Sequence, residues 1–262
     1  MAQPPRSDTA SKAAYFGGFP LFSVLIAVGM FGIIFLTGTL DLARQGPVAL
    51  LDDSIAKSMT GLRQAGVIRF FSVVTAFGSW IPVFTLAAAV SALLWINQRR
   101  AYLPGLWLTL IGNQLTVTLL KILFARPRPG LAIYVETSGS FPSGHSAVSV
   151  AFCGFLAFVA VRERLIPPSL ALLAAALVAG LIGFSRMVLG EHYLSDVCAG
   201  YLVGAVWALI GIWLTNWSGA AQAQLPRTVT TRYRLELALI IAVTLGAMYY
   251  LVGNAPGIAA QP

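Results

Sequence analysis

Seven stretches of the chain are long and apolar enough to cross a bilayer, which takes about 20 apolar residues in a helix. They lie near 19–40, 78–97, 103–124, 144–161, 168–188, 194–215 and 236–252. With 58% hydrophobic and 10% charged residues, the chain has too little polar surface to face water all round, since soluble domains carry about 25% charged residues. These features predict an all-α, polytopic membrane helix bundle. The second span has an ambiguous start, because 66–80 is also apolar and Pro82 can kink or restart a helix. The first span follows Arg6 and Lys12 but has no A-x-A site after it, so it reads as a retained helix and not a signal peptide.

The basic residues fix a sidedness. Arg6, Lys12, Arg99, Arg100, Arg162, Arg164, Arg227, Arg232 and Arg234 all fall on one face if the spans alternate. By the positive-inside rule that face is cytoplasmic, and so is the N-terminus. The rule also accounts for the net charge of +8, so nucleic acid is not expected as a partner. Trp95, Tyr102, Trp107, Trp213 and Trp217 flank the same face and read as interfacial anchors. Cys153 and Cys198 lie inside apolar runs and read as packing residues. On the opposite face, "LLDDSIAKSMTGLRQAG" places Ile55, Met59 and Leu62 at helical spacing, as in an amphipathic helix lying on the outer surface. "GYLVG", with Gly200 and Gly204, reads as a seam for close packing within the bundle.

The loops after the third and fifth spans must emerge together on the less basic face. They carry Lys121, Arg126, Arg128, His145, Arg186, His192 and Asp196, including both histidines of the chain. Ionisable groups at the membrane edge are costly and mark function. Cations without a nearby acid cluster suit an anion, and arginine is the natural fork for phosphate oxygens. In "PSGHS", Ser143 can cap a helix and Gly144 lets the backbone come close, so the free N–H groups of the helix start add to an anion site. His192 and Asp196 are four apart and share a helix face. A carboxylate holding one imidazole N–H leaves the other nitrogen free as a nucleophile or base. His145 would supply a separate acid. With no carboxylate cluster to hold Mg²⁺, no metal or other cofactor is expected, and the cations would do the metal's work.

Three motifs follow in order: K-x6-R-P from Lys121 to Arg128-Pro129, P-S-G-H from Pro142 to His145, and S-R-x5-H-x3-D from Ser185 to Asp196. Together they are similar to the signature of the type-2 phosphatidic acid phosphatase superfamily, which includes the vanadium haloperoxidases. The motifs span 121–196, and the resemblance in helix pattern covers 20–215. It implies a metal-independent phosphatase with a six-helix membrane core and a site at the outer leaflet of a bacterial inner membrane. It also implies roles. His192 attacks phosphorus and forms a phosphohistidine, Asp196 orients it, and His145 protonates the leaving oxygen. Lys121, Arg128, Ser143, Gly144 and Arg186 bind the phosphate. Arg126 lies outside the required positions and is at most a substrate contact; Glu191 is a spacer. The chain would then divide into a cytoplasmic tail (1–18), a membrane phosphatase domain (19–215), and a basic linker with an extra span and short tail (216–262). The departure is the 236–252 segment, a seventh span beyond the core, with an interfacial or half-inserted segment as the alternative. The expected partners are a lipid phosphate substrate and the surrounding lipids. Undecaprenyl pyrophosphate, phosphatidic acid, phosphatidylglycerol phosphate and lipid A phosphate are the candidates. A lipid phosphotransferase using the same intermediate fits the motifs too. An anion transporter or channel would need polar residues through the depth of several spans, whereas here they cluster at one end.

Overall fold

The computed structural model describes residues 46–218, apart from Val135, together with 15–16, 19–20 and Gly32. The fold is all-α. The only strands among the described residues are β1 (Tyr15–Phe16) and β2 (Phe19–Pro20), a two-residue antiparallel pair. Seven helices follow: α1 (Pro47–Thr60), α2 (Ala65–Ala76), α3 (Trp80–Ile96), α4 (Leu103–Phe124), α5 (Gly144–Arg162), α6 (Pro168–Val188) and α7 (Leu194–Trp217). The 1–18 tail, the 19–40 span, the 216–262 linker and the 236–252 span lie outside the described residues, save the short pieces named above and 216–218.

Four helical segments, Arg100–Phe124, Gly144–Arg162, Pro168–Val188 and Leu194–Trp217, are long and apolar enough to cross a membrane. Helices α2 and α3 meet the same criterion only as a pair, bent by 46° at the break between them, as a broken span or a re-entrant loop would be. The break falls at 77–79, before Pro82, which sits in the first turn of α3 where its missing N–H costs nothing. Proline also opens α1 and α6. The end of α4 is set by Ala125, which turns into the left-handed region at φ 40°. Pro127 and Pro129 then follow, and neither can continue a helix.

Helix α5 packs against α4, α6 and α7. Leu106 and Leu110 of α4, Val148 and Phe155 of α5, and Val83 and Ala87 of α3 form one buried cluster. The Gly200/Gly204 seam faces inward. A Cβ at Gly204 would stand 2.2 Å from the Ala147 carbonyl oxygen, and one at Gly200 would stand 2.5 Å from that of Ser143. Any side chain there would push α7 off α5, and α5 and α7 each carry part of the candidate site.

At the basic end, Arg99 pairs with Glu163 at 2.8 Å. Tyr102 differs from its expected place as an interfacial anchor. It is buried, donates to Glu163 at 2.8 Å and packs edge-on against Phe158. Burial is favourable only because the hydroxyl has this acceptor. Between this end and the opposite one, α3 to α7 contain no Asp, Glu, Lys, Arg or His across the depth of the bundle.

Candidate active site

The opposite end of the bundle holds a cavity of about 930 Å³. Lys121, Arg128, Gly144, His145 and His192 line it. Ser143, Arg186 and Asp196 stand immediately behind. All eight residues singled out from the motifs are thus brought together from α4, the loop after it, α5, α6 and the start of α7.

Each is placed by local structure. Ser143 caps α5, its Oγ accepting from the Ser146 amide at 3.5 Å and the Ser146 hydroxyl at 3.0 Å. The Ser143 amide donates to the Asp196 carbonyl at 2.9 Å, which ties the start of α5 to α7. Lys121, in the last turn of α4, donates to the Gly139 carbonyl. The chain leaves α6 through Gly190, whose φ of +71° turns it back on itself. Glu191 and His192 then bond their amides to the Arg186 carbonyl at 2.9 and 3.3 Å. The turn therefore fixes His192 over the end of α6 before α7 begins.

The imidazole of His192 is 3% exposed. Its Nδ1 is 3.5 Å from Asp196 Oδ2 but closes no hydrogen bond, and its Nε2 is 3.4 Å from Arg128 Nη1. Burial first, and then the charges of Arg186, Arg128 and Lys121, hold this imidazole well below the ordinary histidine range. It is therefore neutral at neutral pH, with Nε2 turned toward the cations. Asp196 is bound more tightly elsewhere: Oδ1 accepts from Arg126 at 2.6 Å and Oδ2 from the Tyr193 amide at 3.0 Å.

Sequence reasoning missed the acids. It took the cations to have no acid cluster nearby, yet four carboxylates meet them. Glu136 bridges Arg128 at 2.5 Å and Arg186 at 3.2 Å. Glu191 is fully buried, pairs with Arg128 at 3.2 Å, lies 3.7 Å from Arg186, and accepts from the Tyr134 amide at 2.9 Å. It is a buttress for two arginines and not a mere spacer. Burial pushes its carboxyl up, while the Tyr134 amide and Arg186 pull it back. Arg126 is also not a free substrate contact. It lies between Asp52 at 2.9 Å and Asp196 at 2.6 Å, with its guanidinium 4.2 Å above the Tyr193 ring. Asp52 comes from α1, the segment that the sequence marks only as an amphipathic surface helix. Only tertiary packing brings it here, so no local pattern could have found it. Among the described residues no three of His, Cys, Asp and Glu are grouped to hold a metal.

Arg186 Nε is buried without a partner among the described residues, while its Nη1 donates to Thr75 at 2.9 Å. Arg128 and Arg186 both pair with Glu136, a part-exposed carboxylate of the loop after α4.

The model of the PAP2 superfamily matches residues 102–220. Phosphatidylglycerophosphatase B of Bacillus subtilis is 29% identical over 160 residues, 58% of this chain and 77% of that protein. Lipid A 1-phosphatase of Rhizobium johnstonii is 28% identical over 169 residues, 60% of this chain and 65% of that protein. Among solved structures, the transmembrane PAP2-type phosphatidylglycerolphosphate phosphatase of Bacillus subtilis superposes with a TM-score of 0.65. That match is 23% identical and covers 76% of this chain and 98% of the other, a likeness of fold. LpxE of Aquifex aeolicus superposes with a TM-score of 0.50 at 25% identity, over 62% of this chain and 94% of the other.

The Glu136 bridge makes a prediction. A phosphate taken up by these two arginines would have to displace this carboxylate. Glu136→Gln should therefore tighten inhibition by inorganic phosphate or vanadate by about twofold to fivefold, the scale of a partly exposed ion pair. Unchanged or weaker inhibition would show that Glu136 does not compete for the cradle. Over residues 102–220 the chain is thus similar to the PAP2 superfamily, and it reads as a membrane phosphatase of that type.

Proposed function

We propose that the protein hydrolyses a lipid phosphate, a phosphomonoester or pyrophosphate, at the membrane surface through a phosphohistidine on His192. The observation that carries this reading is the lining of the cavity. The same cavity is lined by His145 and His192, by Gln114, Thr118 and Lys121 along one face of α4, and by Trp80 and Ile122. Trp80 and Ile122 are 60% and 71% exposed on the apolar outside of the bundle. A head group can thus reach the histidines while its chains stay in lipid. The names of the relatives support the same class: phosphatidylglycerophosphatase B and lipid A 1-phosphatase act on lipids that bear a phosphate. Phosphatidylglycerol phosphate, phosphatidic acid, lipid A phosphate and undecaprenyl pyrophosphate are the substrates to compare.

The residues divide the work as follows. Arg128, Arg186 and Lys121 take the phosphate oxygens, with the Gly144 end of α5 adding its N–H groups and dipole. Ser143 holds that helix start in place. His192 is neutral and presents Nε2, so it attacks phosphorus without first losing a proton. Asp196, behind Nδ1, closes on it as positive charge develops on the ring. His145, entering from α5, gives its proton to the leaving oxygen. Water then releases the phosphate from Nε2. No metal is needed, because the cations carry the charge of the transferring group. A lipid phosphotransferase would share every step but the last. A channel would need ionisable groups through the bundle, and the described spans have none there. The cavity opens at the less basic end, so we place the site outside the inner membrane and the N-terminus in the cytoplasm. A reporter inserted within 130–140 should then read as external; a cytoplasmic reading would reverse this orientation.

Kinetics on purified protein test the assignment of roles. The wild type should hydrolyse at least one of the four lipids in the presence of a chelator. His192→Ala should be inactive on every substrate while remaining folded. His145→Ala should lose about 10² to 10⁴ in rate on a lipid alkoxide leaving group and much less on an aryl phosphate, which needs little protonation. Equal losses on both substrates in both variants would show the roles to be misassigned.

A further inference from the structure

Asp52 stands outside the 102–220 region that matches the family, yet it reaches the catalytic end. It is 2% exposed, although it sits on a helix whose neighbours Leu51 and Asp53 are exposed. Every hydrogen bond it makes is to the start of α7 or to Arg126. Its Oδ1 accepts from the Ser195 amide at 2.9 Å, and its Oδ2 accepts from the Ser195 hydroxyl and from Arg126 Nη2 at 2.9 Å. Arg126 Nη1 in turn donates to Ser195 Oγ at 2.8 Å and to Asp196 Oδ1 at 2.6 Å. One guanidinium thus joins two buried carboxylates from different helices, and the second is the one behind His192.

We propose that Asp52 and Arg126 are positioning residues, a pair that fixes the carboxylate of Asp196 against the Nδ1 side of His192. This rests on the reading of His192 as the nucleophile. The physical case has three parts. A buried carboxylate needs a cation or several hydrogen bonds to remain charged, and Asp196 takes its cation from Arg126. Arginine can serve two carboxylates because its fork is planar and rigid, which lysine cannot reproduce. Arg126 held by Asp196 alone could swing on its long side chain. Asp52 pins the far end of the fork, and the Tyr193 ring covers its face at 4.2 Å. With Oδ1 of Asp196 committed to Arg126, Oδ2 is left toward the Tyr193 amide and His192 Nδ1. The amphipathic α1 thereby carries one carboxylate to the mouth of the site from the outer surface. Asp52 does not line the cavity, and Arg126, which does, has its fork committed to Asp52, Ser195 and Asp196 and bonds to none of Lys121, Arg128 and Arg186, so substrate binding should be largely spared when the pair is cut.

The proposal is tested by steady-state kinetics of Asp52→Asn, Arg126→Lys and Arg126→Gln on phosphatidic acid and on p-nitrophenyl phosphate, with thermal unfolding of each variant. Loss of position costs about tenfold to a hundredfold. We expect Asp52→Asn and Arg126→Gln to lose kcat by such a factor with KM within about twofold. The factor should be similar on both substrates, since both need the nucleophile. Arg126→Lys should fall between wild type and Arg126→Gln. Should Asp52→Asn fail to fold, Ser195→Ala removes only the hydroxyl shared by Asp52 and Arg126, and it should lower kcat by a smaller factor at unchanged KM. Wild-type kcat in Asp52→Asn, or in Ser195→Ala where that is the variant measured, overturns the proposal while an inactive His192→Ala leaves the mechanism standing. So does a loss in which kcat, KM and unfolding temperature all change together, which is the mark of a merely structural role. Activity surviving in His192→Ala would instead remove the reading on which the proposal rests.

Discussion

The structure depends on how three arginines are kept charged at the end of an apolar bundle. A buried guanidinium without a counter-ion is strongly unfavourable, and removing one partner of a buried pair usually costs more than the pair itself contributes. Here each arginine at the site meets carboxylates: Arg126 with Asp52 and Asp196, Arg128 with Glu136 and Glu191, and Arg186 with the same two glutamates. The network joins α1, the loop after α4, the end of α6 and the start of α7. Charge pairing therefore closes that end of the fold, where the apolar contacts of α3, α4 and α5 give out.

The pairs are not equivalent. Asp52, Glu191 and Asp196 are buried, and their partners are fixed from more than one side. Glu136 is 37% exposed and reaches its two arginines from a loop. The buried carboxylates suit a permanent frame, whereas the exposed one suits exchange with an incoming anion. Two arginines are held in place by Glu191, and their remaining capacity is covered by a group that water can solvate once it is displaced.

The spans and the motif residues were legible in the sequence because both are local patterns. Apolar length marks a span, and fixed spacing places His192 and Asp196 on one face. The eight motif residues needed only the alternation of spans to be assigned to one end. The acids were not legible. Asp52 is separated from Asp196 by most of the fold, and its helix looked like a surface element because only one of its polar residues turns inward. Glu191 lay between motif positions and offered no spacing of its own. Tyr102 looked like a membrane anchor because its acceptor, Glu163, lies far along the chain, just past the end of α5. The break before Trp80 was similarly hidden, since α2 and α3 are both apolar and only their 46° bend separates them.

The central claim is that a neutral, buried imidazole takes the phosphoryl group. It is tested most directly by trapping. The enzyme would be mixed with a labelled lipid phosphate, quenched under alkaline conditions that preserve phosphohistidine, and digested. The account predicts label on the peptide that contains His192, and none in a His192→Asn variant. A wild type that turns over fully without a labelled enzyme, or one labelled at His145, would contradict it.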